Sequence, residues 1–203
     1  MTPTFIHVWK KEVPDNICEE IIELFEKQLV TNPKVFTDSR FTDSSIRRKD
    51  IISDLRRFNR DDLVQKINSH LMKCLEFYVR EYGHLASNVY YFNDLKIQKT
   101  LPYGGFHAWH YEAGSDFATV ARELVWTIYL NDMPPNEAET EFLYQGIKIK
   151  PEKGLLCIFP AGMTHLHRGL TVYTHPKYIL TGWFSKQIEP VKDPRNMRPI
   201  YEN

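Results

Sequence analysis

Residues 124–132 read LVWTIYLND, and in this run Leu124, Trp126, Ile128 and Leu130 fall on one side of an extended chain while Val125, Thr127, Tyr129 and Asn131 fall on the other. One face is wholly apolar and the other mixed, the pattern of a strand that buries one side in a core. Outward from this run the texture from residue 89 onward is the same: short alternating or β-branched segments near 89–92, 95–100, 106–112, 140–144, 147–150, 155–159, 164–168 and 178–185. Turn residues separate them at Pro102-Tyr103-Gly104-Gly105, at Asp132-Met133-Pro134-Pro135-Asn136 and at Pro151-Glu152-Lys153-Gly154. Such spacing predicts an all-β sandwich or barrel.

Upstream the period changes. Ile17, Ile21, Leu24 and Phe25 follow Pro14-Asp15 at helical spacing, with Asp15 placed to cap a helix of about fifteen residues. Leu63, Ile67, Leu71, Leu75 and Tyr78 keep one apolar face from just after Asn59 until Gly83. Between these helices, residues 38–60 carry seven basic and four acidic side chains with little periodicity. We expect a long, partly mobile loop there, with a short strand at Asp50-Ile51-Ile52. The expected organisation is one domain: helical support over about 1–88, a β core over about 89–186 and an extended tail over 187–203.

The 203 residues include 26 Lys and Arg against 26 Asp and Glu, so the formal net charge is zero. Neutrality speaks against a polybasic nucleic-acid binder. Three cysteines without a CxxC spacing argue against a disulfide scaffold or a structural zinc site and fit a reducing compartment. With no signal-like apolar run and no segment near the ~20 apolar residues of a membrane span, the expected location is cytoplasmic, without membrane partners.

Two further runs carry chemistry. In KYILTGWF, Lys177, Ile179, Thr181 and Trp183 share a face. A lysine and a threonine beside isoleucine and tryptophan suggest a cavity wall, because a buried ammonium needs an anionic partner such as a small carboxylate. In GGFHAWHYE, His110 and Glu112 stand two apart, which in a strand puts both on one face; about fifty-five residues on, THLHRG offers His165 and His167. Two histidines and one carboxylate in a facial arrangement leave open metal positions, as in non-haem Fe(II) sites. Zinc with an activated water is the chemical competitor, although zinc hydrolysis leaves the cavity-facing Lys177 unexplained.

These residues resemble the Fe(II)- and 2-oxoglutarate-dependent oxygenases, and among them the prolyl 4-hydroxylase-like branch. The resemblance runs from about Ile97 to Lys186. His110-Tyr111-Glu112 matches the family's HxD, Tyr129-Leu130-Asn131 its Tyr-Leu-Asn strand end, and Glu137-Ala138-Glu139-Thr140-Glu141-Phe142 its Gly-Gly-Glu-Thr-x-Phe element. The family's basic residue ten positions after the distal histidine is Lys177 if that histidine is His167, and the Trp six residues further is Trp183. Strand alternation alone does not separate His165 from His167; the ten-residue spacing favours His167. A weaker echo of an Arg-rich segment lies at Ile46-Arg47-Arg48-Lys49-Asp50-Ile51.

The resemblance implies a double-stranded β-helix, or jelly roll, braced by two or more helices. It further implies Fe(II) held by His110, Glu112 and His167, with 2-oxoglutarate as cosubstrate and dioxygen as co-reactant. Lys177 and Tyr129 are then expected to anchor the distal carboxylate of 2-oxoglutarate, with Thr181 and Trp183 beside it, and ascorbate could serve as a reductant. The implied substrate is a proline-containing peptide or protein, and the basic 38–60 segment is read either as a lid over a bound peptide or as a solvated loop with no ligand role. A free amino acid or other small molecule is the alternative, and a jelly-roll metal-binding protein or zinc hydrolase is the alternative of another class. Glu112 departs from the family's Asp by one methylene, and Glu137-Ala138 replaces its paired glycines. Arg168, next to the distal histidine, is read either as orienting the ligands or as a surface cation, and Cys157 as core.

Overall fold

The computed structural model describes residues 3–38 and 50–187. The echo at Ile46-Arg47-Arg48-Lys49 and the tail beyond Gln187 lie outside these. In chain order the elements are β1 (His7–Trp9), α1 (Asp15–Thr31), β2 (Thr37–Asp38), β3 (Ile51–Asp54), α2 (Asp61–Glu81), β4 (Tyr90–Thr100), β5 (Phe106–His110), β6 (Arg122–Tyr129), β7 (Thr140–Phe142), β8 (Ile147–Ile149), β9 (Leu156–Pro160), β10 (His167–Gly169) and β11 (Lys177–Lys186).

The strands form two antiparallel sheets. The larger has the order β1-β9-β6-β11-β4-β3-β2 and the smaller β5-β10-β7-β8. Facing sheets of mainly β structure with helical support are the jelly-roll arrangement expected above. The helices cover the outer face of the large sheet. Ile17, Cys18, Ile21 and Phe25 of α1 and Leu63, Ile67, Leu71, Leu75 and Tyr78 of α2 pack with Trp126, Ile128, Ile97 and Leu180 into one core. Each fully buried aliphatic or aromatic side chain there contributes roughly 1.5–3 kcal/mol. Val125, Tyr129, Phe142, Phe159 and Trp183 form a second cluster between the sheets.

Several local expectations change. Asp15 is not a capping residue: Pro14 holds the N-cap position and Asp15 begins the helix, pairing with Lys11 Nζ at 3.1 Å. In the described part of the 38–60 stretch the expected short strand is β3, and a 3-10 turn over Leu55–Phe58, its start capped by Asp54, follows it. The two short strands near 89–92 and 95–100 are one strand, β4, interrupted by Asp94 in the left-handed region (φ 59°). Across from it the pairing with β11 shifts between Thr181 and Trp183. The extra residue lies on β4, so β11 keeps its alternation.

That alternation positions the site. Lys177 lies opposite Thr100, Ile179 opposite Gln98 and Thr181 opposite Lys96 on β4, while on the other side Thr181 lies opposite Thr127 and Trp183 opposite Val125. These rows form the inner wall of a cavity of about 440 Å³ between the sheets. The size suits a small-molecule or cofactor site.

Candidate active site

His110 ends β5, and His167 begins β10 directly opposite it in the register. Each imidazole is oriented by its own backbone. His110 Nδ1 lies 2.8 Å from the Ala108 carbonyl oxygen and His167 Nδ1 lies 2.9 Å from that of His165. A carbonyl can only accept, so Nδ1 carries the proton in both rings and Nε2 presents its lone pair.

Glu112 is not on the strand, as its two-residue spacing from His110 suggested. The strand ends at His110, and the amides of Glu112 and Ala113 both donate to the Ala161 carbonyl, at 3.0 and 2.9 Å. This anchor brings Glu112 Oε1 to 3.6 Å from His110 Nε2 and 3.9 Å from His167 Nε2. One donor atom from each of the three residues lies within 4.8 Å of the others. An ion held about 2.1 Å from each donor spans pairs up to about 4.2 Å apart, so the two measured spacings fit one ion.

Protonation agrees with that use. Burial, then the neighbouring His110, push His167 down to about 4, leaving a neutral imidazole at physiological pH. Burial alone would raise Glu112, but the neighbouring His110, His167 and Lys96 bring the carboxyl down to about 2. Arg122 holds the same residue: its Nη1 donates to the Glu112 carbonyl at 3.2 Å and lies 3.4 Å from Oε2. The same guanidinium sits 3.5 Å from the centre of the Trp183 ring. Two imidazoles and one carboxylate suit a first-row divalent metal and leave coordination positions for other ligands.

Lys177 lies at the cavity wall, 6% exposed, and donates from Nζ to the Ala138 carbonyl at 2.8 Å. Burial pushes its ammonium down to about 8, and the Asp50 carboxylate opposes that fall. Thr181 and Trp183 also line the cavity. Thr181 Oγ1 donates to the Trp126 carbonyl at 2.8 Å and lies 3.1 Å from Thr127 Oγ1.

Tyr129 departs from its expected place. It is fully buried and is not among the lining residues; its hydroxyl donates to Thr140 Oγ1 at 2.7 Å, and Thr140 does line the cavity. His165 is likewise not at the cavity. It closes a 3-10 turn, Met163–His165, with Nε2 2.9 Å from the Thr4 carbonyl oxygen and Nδ1 3.0 Å from Thr164 Oγ1. The structure therefore separates the two histidines that alternation left equivalent. Arg168 packs 4.4 Å from the Trp109 ring centre and donates to Glu141 Oε2 at 2.7 Å, on the side of the small sheet away from the ligands. Cys157 is core, as expected, and burial pushes its thiol up to about 12.

Lys96, Gln98, Thr100 and Arg122, which the sequence did not single out, also line the cavity, as do Asp50 and Thr140, to which it gave no role. Alternation in LKIQKT could have revealed Lys96, Gln98 and Thr100, since Leu95 and Ile97 lie in the core.

Residues 95–185 match the family model described as 2OG-Fe(II) oxygenase superfamily. Comparison with curated proteins gives no match. Among solved structures, the viral collagen prolyl hydroxylase of Paramecium Bursaria Chlorella virus-1, solved as a 2OG complex, aligns at a TM-score of 0.70 and 19% identity, covering 91% of this chain and 97% of that one. A prolyl hydroxylase from Trichoplax adhaerens, in complex with a hypoxia inducible factor oxygen degradation domain peptide fragment, aligns at 0.67 and 16% identity, covering 89% and 83%. A Pseudomonas putida prolyl-4-hydroxylase aligns at 0.62 and 17% identity, covering 90% and 93%. The matched segment contains all three candidate ligands and Lys177. Over residues 95–185, then, this chain matches the 2OG-Fe(II) oxygenase superfamily, and it shares the fold of these prolyl hydroxylases.

Proposed function

We propose that the chain is an Fe(II)- and 2-oxoglutarate-dependent oxygenase that hydroxylates a C–H bond of a prolyl residue in a peptide or protein. In this proposal His110, Glu112 and His167 hold the metal, and Lys177 receives the distal carboxylate of 2-oxoglutarate. The observation that carries it is the presence, in one 440 Å³ cavity, of a two-histidine, one-carboxylate cluster and a buried ammonium. A hydrolytic zinc site has use for the first and none for the second. Iron and 2-oxoglutarate, when bound, supply dioxygen activation coupled to decarboxylation of the cosubstrate to succinate.

The protein's own part is placement. The Nδ1 hydrogen bonds fix the imidazoles, the Ala161 anchor fixes Glu112, and Lys177 offers a charge-assisted hydrogen bond to a carboxylate. Thr181 and Trp183 stand beside the same wall, and Tyr129 acts through Thr140. The prolyl substrate is supported by the likeness to prolyl hydroxylases. A free amino acid is the second reading, favoured by a cavity large enough for a cosubstrate and one small substrate together.

No helix among the described residues is long and apolar enough to cross a membrane. Three buried free thiols support a reducing, cytoplasmic setting. The test of the function is anaerobic titration with Fe(II) and 2-oxoglutarate, expected to give a new visible charge-transfer absorption from an open facial site. Succinate release is then measured across proline-containing peptides and free amino acids. An unchanged spectrum, with no succinate from any of them, would leave the zinc or metal-binding alternative standing.

A further inference from the structure

The end of the cavity at Lys177 depends on a turn with unusual chemistry. Ala138, whose carbonyl accepts from Lys177 Nζ, lies in the left-handed region at φ 59°. An L-residue there costs roughly 1–2 kcal/mol and persists where its surroundings over-determine it. The surroundings here centre on Glu137, a buried carboxylate that the two-sheet core does not require. One of its oxygens accepts from the amides of Tyr173 and Thr174, at 2.6 and 3.1 Å, and the other accepts from the Thr174 hydroxyl at 2.6 Å.

The backbone extends this lacing. The Ala138 amide donates to the Thr171 carbonyl and the Leu170 amide to that of Glu139, both at 2.9 Å. The Ala138 methyl is buried against Met133 and Val172. Thr174 stands three residues before Lys177. Glu137 therefore ties together the strand of chain that carries the acceptor, residues 137–139, and the strand of chain that leads into the donor, residues 170–176.

We propose that Glu137 is a positioning residue for the cosubstrate end of the cavity, holding the Ala138 carbonyl and the approach to β11 so that the Lys177 ammonium is fixed where a distal carboxylate arrives. The proposal rests on the 2-oxoglutarate reading above. Glu137 makes no contact with Lys177 in this role; it acts through the turn.

The test measures binding rather than turnover. The full-length protein, loaded with Mn(II) as a redox-silent metal, is titrated calorimetrically with 2-oxoglutarate and with 2-oxobutyrate, which has the same oxo-acid head and no distal carboxylate. Glu137→Ala is expected to weaken 2-oxoglutarate about tenfold, the loss of one well-placed charge-assisted hydrogen bond, and to leave 2-oxobutyrate within about twofold. Thr174→Val, which removes only the hydroxyl, is expected to weaken 2-oxoglutarate about threefold on the same grounds, and it decides the matter where Glu137→Ala does not fold. Equal weakening of both oxo acids, or 2-oxoglutarate binding unchanged in the variants, overturns the positioning role alone. Wild-type protein that binds neither oxo acid overturns the cosubstrate reading itself.

Discussion

The Tyr129 hydroxyl donates to Thr140 Oγ1 across 2.7 Å, and of the two residues Thr140 alone lines the cavity. A bound carboxylate would therefore meet the Thr140 oxygen, with Tyr129 setting the direction of its hydroxyl. Thr140→Val is expected to weaken 2-oxoglutarate binding more than Tyr129→Phe, each by a factor within about three to thirty for one lost hydrogen bond. Calorimetric affinities decide the order. A larger loss in Tyr129→Phe would mean that the tyrosine touches the ligand directly.

Lys177 should give binding and stability opposite dependences on pH. Its folded value of about 8 lies below the ordinary 10.5, because burial disfavours the ammonium. Below about 8 both folded and unfolded chains carry the proton, and the folded state bears the full cost of the buried charge. As pH rises from about 8 toward 10.5 the unfolded chain binds more protons than the folded one, so this group's contribution moves toward greater stability. Cosubstrate binding needs the charged form and falls over the same range. Lys177→Met should remove both trends, stabilise the ligand-free protein and raise the 2-oxoglutarate requirement steeply with metal binding nearly intact. Denaturant midpoints and 2-oxoglutarate affinities measured between pH 7 and 10 (roughly the span set by the two values) check this. A variant that keeps wild-type affinity removes Lys177 from the site.

Much of this site was legible because strand alternation is a strict rule. The face shared by Lys177, Ile179, Thr181 and Trp183 is the observed cavity wall, and the apolar face of residues 124–130 is the observed core. Lys96, Gln98 and Thr100 obey the same rule; the other residues that escaped sit where it gives no guidance. Arg122 has the same parity as Leu124 and Trp126, which are core residues, so the pattern alone would bury it. In the structure two residues of β6 oppose one of β11 between Leu124 and Arg122, and this bulge turns Arg122 toward the cavity. Glu112 lies beyond the end of its strand, held by a carbonyl 49 positions away in sequence, a contact that no local pattern announces. Asp50 opens the short strand expected at Asp50-Ile51-Ile52, but that stretch is too short for alternation to say which way its carboxylate faces.

The separation of the two distal histidines has a direct consequence. His167→Ala removes a donor from the three-residue cluster and should abolish stable metal binding. His165→Ala removes a buried imidazole that bonds the Thr4 carbonyl and should cost about 1–3 kcal/mol of stability while leaving the metal affinity near wild type. Metal titration paired with thermal unfolding distinguishes the two. Loss of metal binding in His165→Ala with retention in His167→Ala would reverse the assignment.

Glu112 in place of a shorter carboxylate makes the most specific demand on the site. Its backbone is fixed by two hydrogen bonds to Ala161, and Arg122 holds it from the other side. Restoring aspartate therefore cannot be absorbed by sliding the chain forward. The carboxylate would retreat by about one C–C bond, 1.5 Å, whereas metal sites tolerate only about 0.2 Å in ligand distance. Glu112→Asp is expected to lower metal affinity at least about tenfold, the scale on which disturbed ligand placement acts, with little change in thermal stability because the side chain is not part of either hydrophobic cluster. Arg122→Ala should cost less metal affinity, since it removes support and no donor. If Glu112→Asp binds metal as tightly as the wild type, the Ala161 anchor is not what sets the reach of the ligand, and the longer side chain has no role in placing it.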